Sequence, residues 1–159
     1  SGLDNLNGIF KKNFFDRILS SYSLYYSQNP EKVLEKINYS LKDGGIFFYC
    51  GPMLDNNMEI RKFHYSLKGI KTIPEDKTGL FMERTSLEIM KKLFKKIETY
   101  EFQNPVEFDS AESLYKYWSS YNLYDSSLDS TFKDAAKKHF EDNSVFETVK
   151  RVIGIKAVK

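Results

Sequence analysis

The stretch Phe14–Pro52, FFDRILSSYSLYYSQNPEKVLEKINYSLKDGGIFFYCGP, decides the fold. Phe14 to Ser20 is short and apolar, interrupted only by Asp16 and Arg17, which is the pattern of a buried strand. Asn29-Pro30-Glu31 then opens a helix: asparagine caps, proline sits where its missing N–H is not needed, and glutamate favours the positive end of the dipole. Val33, Leu34, Ile37 and Leu41 recur at helical spacing and form one buried face, and Gly44-Gly45 marks the expected helix end. Ile46 to Cys50, IFFYC, is a second buried strand. Strand, helix and strand in so short a span make a right-handed crossover between parallel strands.

Outward from this unit, residues 55–68 predict a second helix with Met58, Phe63 and Leu67 inward, followed by a loop carrying Gly69, Pro74 and Gly79. Thr85-Ser86-Leu87-Glu88 reads as a capping box, with Leu87, Ile89, Met90, Leu93, Phe94 and Ile97 as the apolar face behind it. Glu98 to Phe108 has strand character, broken at Asn104-Pro105. Asp109 with Glu112 predicts the cap of a helix that presents Leu114, Tyr117 and Trp118. Ser130 to Asp142 continues as helix, and Phe146 to Val158 closes as a β-branched strand. Without repeats, low-complexity tracts or Pro/Ser-rich linkers, no domain boundary is visible.

The 159 residues carry 41% hydrophobic and 16% aromatic side chains, enough for a real core. A net charge of +2 gives no pull toward nucleic acid or an anionic membrane, so neither is expected as a partner. With no long apolar run and no signal-peptide pattern, the expected compartment is cytoplasmic. The sequence opens on Ser1-Gly2 without an initiator methionine, which reads as a cloning remnant. Cys50 is the single cysteine, and with only His64 and His139 beside it no metal site is expected.

The basic run KKLFKK, Lys91 to Lys96, reads as the solvated face of an amphipathic helix rather than a nucleic-acid patch. Cys50 has no base beside it and reads as a buried thiol. Open α/β sheets place ligands at the carboxyl ends of their strands. Two such ends carry small or polar residues here: Ser20-Ser21-Tyr22 after the first strand and Gly51-Pro52 after the second. Tyr22, Tyr25, Tyr26 and Tyr49 would give such a cleft an aromatic wall with hydroxyl tips; the alternative is a plain surface loop with tyrosines packed under the next helix.

The stretch from Phe14 to Pro52 resembles the second half of the class I (Rossmann-like) S-adenosylmethionine-dependent methyltransferases. In that family an FD-initiated hydrophobic strand precedes a Pro-started helix, an LK-x-GG ending and a further strand. The order that follows, ending on FETVKRVIGIKAV, is similar to small-molecule methyltransferases, from about Asp4 onward.

The resemblance implies an α/β fold: a partial methyltransferase sheet, its strands equivalent to the fourth to seventh, with flanking helices and an antiparallel last strand. Residues 1–159 are then the C-terminal portion of one such domain, with inserted helices at about 109–142. It implies S-adenosylmethionine as cofactor and a small-molecule methyl acceptor. Ser20, Ser21 and Tyr22 would close over the methionine and sulfonium end, and Asp4 and Asn5 would lie beside the adenine. Tyr25, Tyr26, Gly51, Pro52, His64, Tyr115 and Trp118 would lie toward the acceptor. No catalytic side chain is implied, because the cofactor carries the chemistry.

The family's glycine-rich turn and ribose-binding acid would fall upstream of residue 1. The expectation is therefore a fragment that binds cofactor weakly or not at all and is inactive alone. Its alternative is a non-catalytic binding or assembly module that self-associates through the Phe14 to Ser20 edge.

Overall fold

The computed structural model describes residues 11–159. Four strands form one mixed sheet in the order β1-β2-β4-β3. They are β1 (Phe15–Ser21), β2 (Leu41–Pro52), β3 (Lys96–Phe108) and β4 (Phe146–Val158). The parallel crossover holds, because β1 pairs parallel to β2 through helix α1 (Pro30–Ser40). β4 pairs antiparallel to β2, from Ile46↔Val158 to Pro52↔Val152. This is the expected fold class, α/β with helices flanking a mixed sheet and an antiparallel last strand.

The described residues divide into two compact units: one of residues up to Leu54, Glu75–Phe102 and Arg151–Lys159, the other of Asp55–Pro74 and Gln103–Lys150. The crossings of β3 and β4 between units fall inside strands, where no change of composition marks them.

In the first unit the core is Leu24, Val33, Leu34, Ile37, Leu41, Phe47, Tyr49, Met90, Ile153, Ile155 and Ala157, all buried. α1 supplies the Val33–Leu34–Ile37 face, and Asn29 caps it by accepting the Lys32 N–H at 3.2 Å. The helix stops at Ser40, not at the glycines. Leu41 is already extended and β2 begins there, while Lys42 to Gly45 bulge between the pairs Phe15↔Leu41 and Arg17↔Ile46. Gly44, at φ 75°, serves that bulge.

β1 is not buried on both sides, as its apolar run suggests. It is an outer strand, with Leu19 71% exposed and Phe14, just before the strand, 56% exposed. The capping box at Thr85 is also absent, since Thr85 has helical dihedrals and makes no side-chain cap. The helix starts earlier, where Asp76 accepts the Gly79 N–H at 2.8 Å. Gly79 thus lies in helix α3 (Lys77–Leu80) rather than a loop, and a π-turn (Phe81–Thr85) leads into α4 (Ser86–Leu93). Of the basic run, Lys91 and Lys92 end α4, whereas Lys95 and Lys96 lie beyond it; all four are exposed.

The second unit holds α2 (Met58–Leu67), α5 (Ala111–Ser119) and α6 (Asp129–Asp142). Its core is Ile60, Phe108, Leu114, Trp118, Phe132, Ala136 and Phe146. Ile60, Arg61 and His64 are the buried positions of α2, while Phe63 and Leu67 pack around the core partly exposed. Ser110, not Asp109, caps α5 by accepting the Ser113 N–H at 3.3 Å. β3 runs unbroken through Asn104-Pro105, as an outer strand of the sheet can, because it tolerates a missing N–H.

Candidate functional site

The parallel register sets Ser20 beside Tyr49 and Ser21 beside Cys50, so the carboxyl ends of β1 and β2 lie level in the first unit. Tyr22 follows at φ 50°, in the left-handed region, with its N–H donating to the Cys50 carbonyl at 3.0 Å. The Ser20 and Ser23 hydroxyl oxygens are 2.8 Å apart, and Ser21 Oγ lies 3.5 Å from Cys50 Sγ. A 3-10 turn, Leu24–Tyr26, then buries Leu24 and raises Tyr25 and Tyr26, whose rings are 4.6 Å apart. Burial, and then the neighbouring phenols of Tyr26 and Tyr22 and the Cys50 thiol, push the Tyr25 phenol well above its ordinary value. It remains a proton-bearing donor at neutral pH.

A left-handed conformation costs a residue with a Cβ about 1–2 kcal/mol, and such outliers gather at functional sites. Nothing in the letters SSYS announces it. Tyr22→Gly should therefore raise stability by about 0.5–1 kcal/mol, after glycine's greater unfolded-state entropy is subtracted. Urea unfolding followed by circular dichroism reads this; a loss of stability would show that the Tyr22 ring, not the strain, governs the turn.

Across from this turn, Gly51 is buried, and a Cβ there would come within 2.9 Å of Met82 Sδ. Pro52 ends β2, and the next residues are held by Arg151, whose carbonyl accepts the Met53 N–H at 3.0 Å, and by Glu83, whose carboxylate accepts the Leu54 N–H at 2.6 Å. Met82 and Glu83 escaped the sequence reading, because their approach depends on the π-turn. Along β1 runs a groove of about 360 Å³ lined by Phe15, Arg17, Ile18, Leu19, Leu24, Val33 and Ile37 together with Ser20, Ser21 and Ser23.

Ser20, Ser21, Tyr22, Tyr25, Tyr26, Gly51 and Pro52 are thus brought together at one end of the sheet. Asp4 and Asn5 lie outside the described residues. His64 and Trp118 belong to the second unit, where they are 3% and 0% exposed and the Trp118 indole N–H donates to His64 Nδ1 at 3.3 Å. They are core residues here, not the lining of a cleft. Accepting that bond leaves the imidazole proton on Nε2. Burial, followed by the Lys68 charge and opposed by Asp125, lowers the His64 pKa and favours this neutral form. Tyr115 is in the same unit and donates to Asp129.

The groups at the sheet end are hydroxyls, phenols and aromatic faces, which can offer oxygen lone pairs and ring faces to a cation. No group of three metal-ligating side chains occurs among the described residues, and none of the described helices is long and apolar enough to cross a membrane.

A family model described as a methyltransferase domain matches residues 3–49. No curated protein matches the chain by sequence. Among solved structures, a candidate methyltransferase of Bacillus halodurans is similar over all of this chain and 75% of its own, at 12% identity and a TM-score of 0.58. The YcgJ protein of Bacillus subtilis is similar over all of this chain and 69% of its own, at 13% identity and a TM-score of 0.57. A SAM-dependent methyltransferase of Archaeoglobus fulgidus is similar over all of this chain and 66% of its own, at 12% identity and a TM-score of 0.52. By sheet order, strand directions and these likenesses, the chain has the fold of the Rossmann-like S-adenosylmethionine-dependent methyltransferases, and its residues 3–49 carry the sequence pattern of the methyltransferase domain.

Proposed function

We propose that the chain supplies part of the site of an S-adenosylmethionine-dependent methyltransferase acting on a small-molecule acceptor, with the glycine-rich cofactor-binding half provided by residues outside these 159. The observation that carries this reading is the hydroxyl- and phenol-rich turn Ser20–Tyr26, level with Gly51 at the carboxyl end of a parallel strand pair. Bound there, S-adenosylmethionine would supply a methyl group activated on a sulfonium. Ser20, Ser21 and Tyr22 would orient that end of the cofactor, and Tyr25, Tyr26, Gly51 and Pro52 would bound the acceptor and exclude water. Alignment of this kind is worth up to about 7–11 kcal/mol of barrier, so no nucleophilic side chain is required.

Calorimetry with S-adenosylhomocysteine tests the reading. These residues alone should bind it weakly or not at all, because only one side of the cofactor would be contacted. A chain extended upstream through a strand, glycine-rich turn and helix should bind it at least about tenfold more tightly, about 1.4 kcal/mol. Equal, tight binding by both would overturn the division of the site, and no binding by the extended chain would overturn the methyltransferase reading.

The exposure of Leu19, 71%, on an outer strand favours a second reading, a module that assembles with another copy of itself.

A further inference from the structure

Lys77 to Leu93 is one helical run interrupted by the π-turn Phe81–Thr85. Such turns are rare in helices and recur at functional sites. This one is tied to the end of β2 at three points. Met82, fully buried, fills the space that a side chain at Gly51 would need. The Ser86 hydroxyl accepts from the Tyr49 phenol at 2.8 Å and donates to the Met82 carbonyl at 3.0 Å, which fixes the turn to the strand from below. The Glu83 carboxylate takes the Leu54 N–H at 2.6 Å. Leu54 follows Met53, whose N–H donates to the Arg151 carbonyl of β4 at 3.0 Å, so the Glu83 contact falls one residue past that bond. A charge-assisted bond from a carboxylate to a backbone N–H is about twice as strong as a neutral one.

We propose that Glu83 is a positioning residue for the site: carried on the π-turn, its carboxylate accepts the Leu54 N–H and fixes the path of Gly51–Leu54 beside the Ser20–Tyr26 turn. The consequence for an acceptor rests on the methyl-transfer reading. The positioning itself does not. Its chemistry needs only an oxygen acceptor at this place, so glutamine should serve where alanine cannot.

Amide hydrogen exchange by NMR, iodoacetamide alkylation of Cys50 and thermal unfolding test it on the chain as it stands. Glu83→Ala should speed Leu54 exchange by about tenfold or more and Cys50 alkylation severalfold, with Ile153 to Ala157 in β4 unchanged. Glu83→Gln should stay within about threefold of the wild type. The proposal is overturned if Leu54 exchange does not move in Glu83→Ala, if β4 exchange accelerates equally, or if glutamine is as damaging as alanine. Should Glu83→Ala fail to fold, Glu83→Gln and the wild type decide. In both, Leu54 must exchange at least about tenfold more slowly than the exposed Lys71 and Thr72, and equal rates would overturn the assignment. Because none of these readouts needs a cofactor, failure of S-adenosylhomocysteine binding would strike the methyltransferase reading and leave this result standing.

Discussion

Trp118→Ala is expected to cost about 3–5 kcal/mol of stability, much of what a domain of ordinary stability has. The indole is fully buried and stacks on Phe132 with centroids 4.1 Å apart and planes 9° from parallel; Tyr124 meets its edge at 5.0 Å. Its removal leaves a cavity among Leu114, Phe132 and Ala136, and strands the His64 Nδ1 acceptor without the N–H that now satisfies it. Urea unfolding by far-ultraviolet circular dichroism is the suitable measurement, because Trp118 is the sole tryptophan and its fluorescence leaves with it. Trp118→Phe keeps the stacking surface and should lose only about 1–2 kcal/mol. A loss below about 1 kcal/mol for the alanine variant would mean that the aromatic cluster closes over the gap.

The second large effect concerns the outer edge of β1, where we expect concentration-dependent self-association. In an antiparallel pair about a twofold axis with Ile18 on the axis, Asp16 would face the partner's Ser20 and Arg17 would face the partner's Leu19. Placing Asp16 or Arg17 on the axis instead would set identical charges against each other, which disfavours those registers. Leu19→Lys would bring a lysine opposite the partner's Arg17, and like charges so placed cost several kcal/mol. In sedimentation velocity the wild-type coefficient should rise with concentration, while Leu19→Lys should remain monomeric through at least about tenfold higher concentration. A wild-type chain that stays monomeric at high concentration would remove the assembly reading.

What the sequence disclosed followed from periodicity. The Val33–Leu34–Ile37 face, the apolar β2 run Phe47–Tyr49 and the β-branched β4 each announce an element whose burial pattern repeats at the period of its backbone. Boundaries failed where local chemistry offered two answers. Gly44-Gly45 suits a helix end, but Leu41 gains more by entering the sheet beside Phe15, and the glycines serve the resulting bulge. Thr85 and Glu88 have capping spacing, yet Asp76 starts the helix nine residues earlier and leaves Thr85 inside it.

The site was half legible for the same reason. Small and polar residues at strand ends mark Ser20, Ser21 and Gly51, whereas Tyr22's backbone conformation and the approach of Met82 and Glu83 are set by tertiary packing. His64 and Trp118 look chemically capable in isolation, but their hydrogen bond to each other accounts for both.

The sheet order β1-β2-β4-β3 bears on how the chain comes to be folded during synthesis. β4 is the last strand in the sequence, yet it occupies an interior place and pairs with β2 across seven consecutive positions. A ribosome must therefore deliver these residues before β2 acquires its second neighbour. Until then Phe47 and Tyr49 lack the cover of Ile153, Ile155 and Ala157, and the nascent chain presents an apolar strand that chaperones are suited to shield.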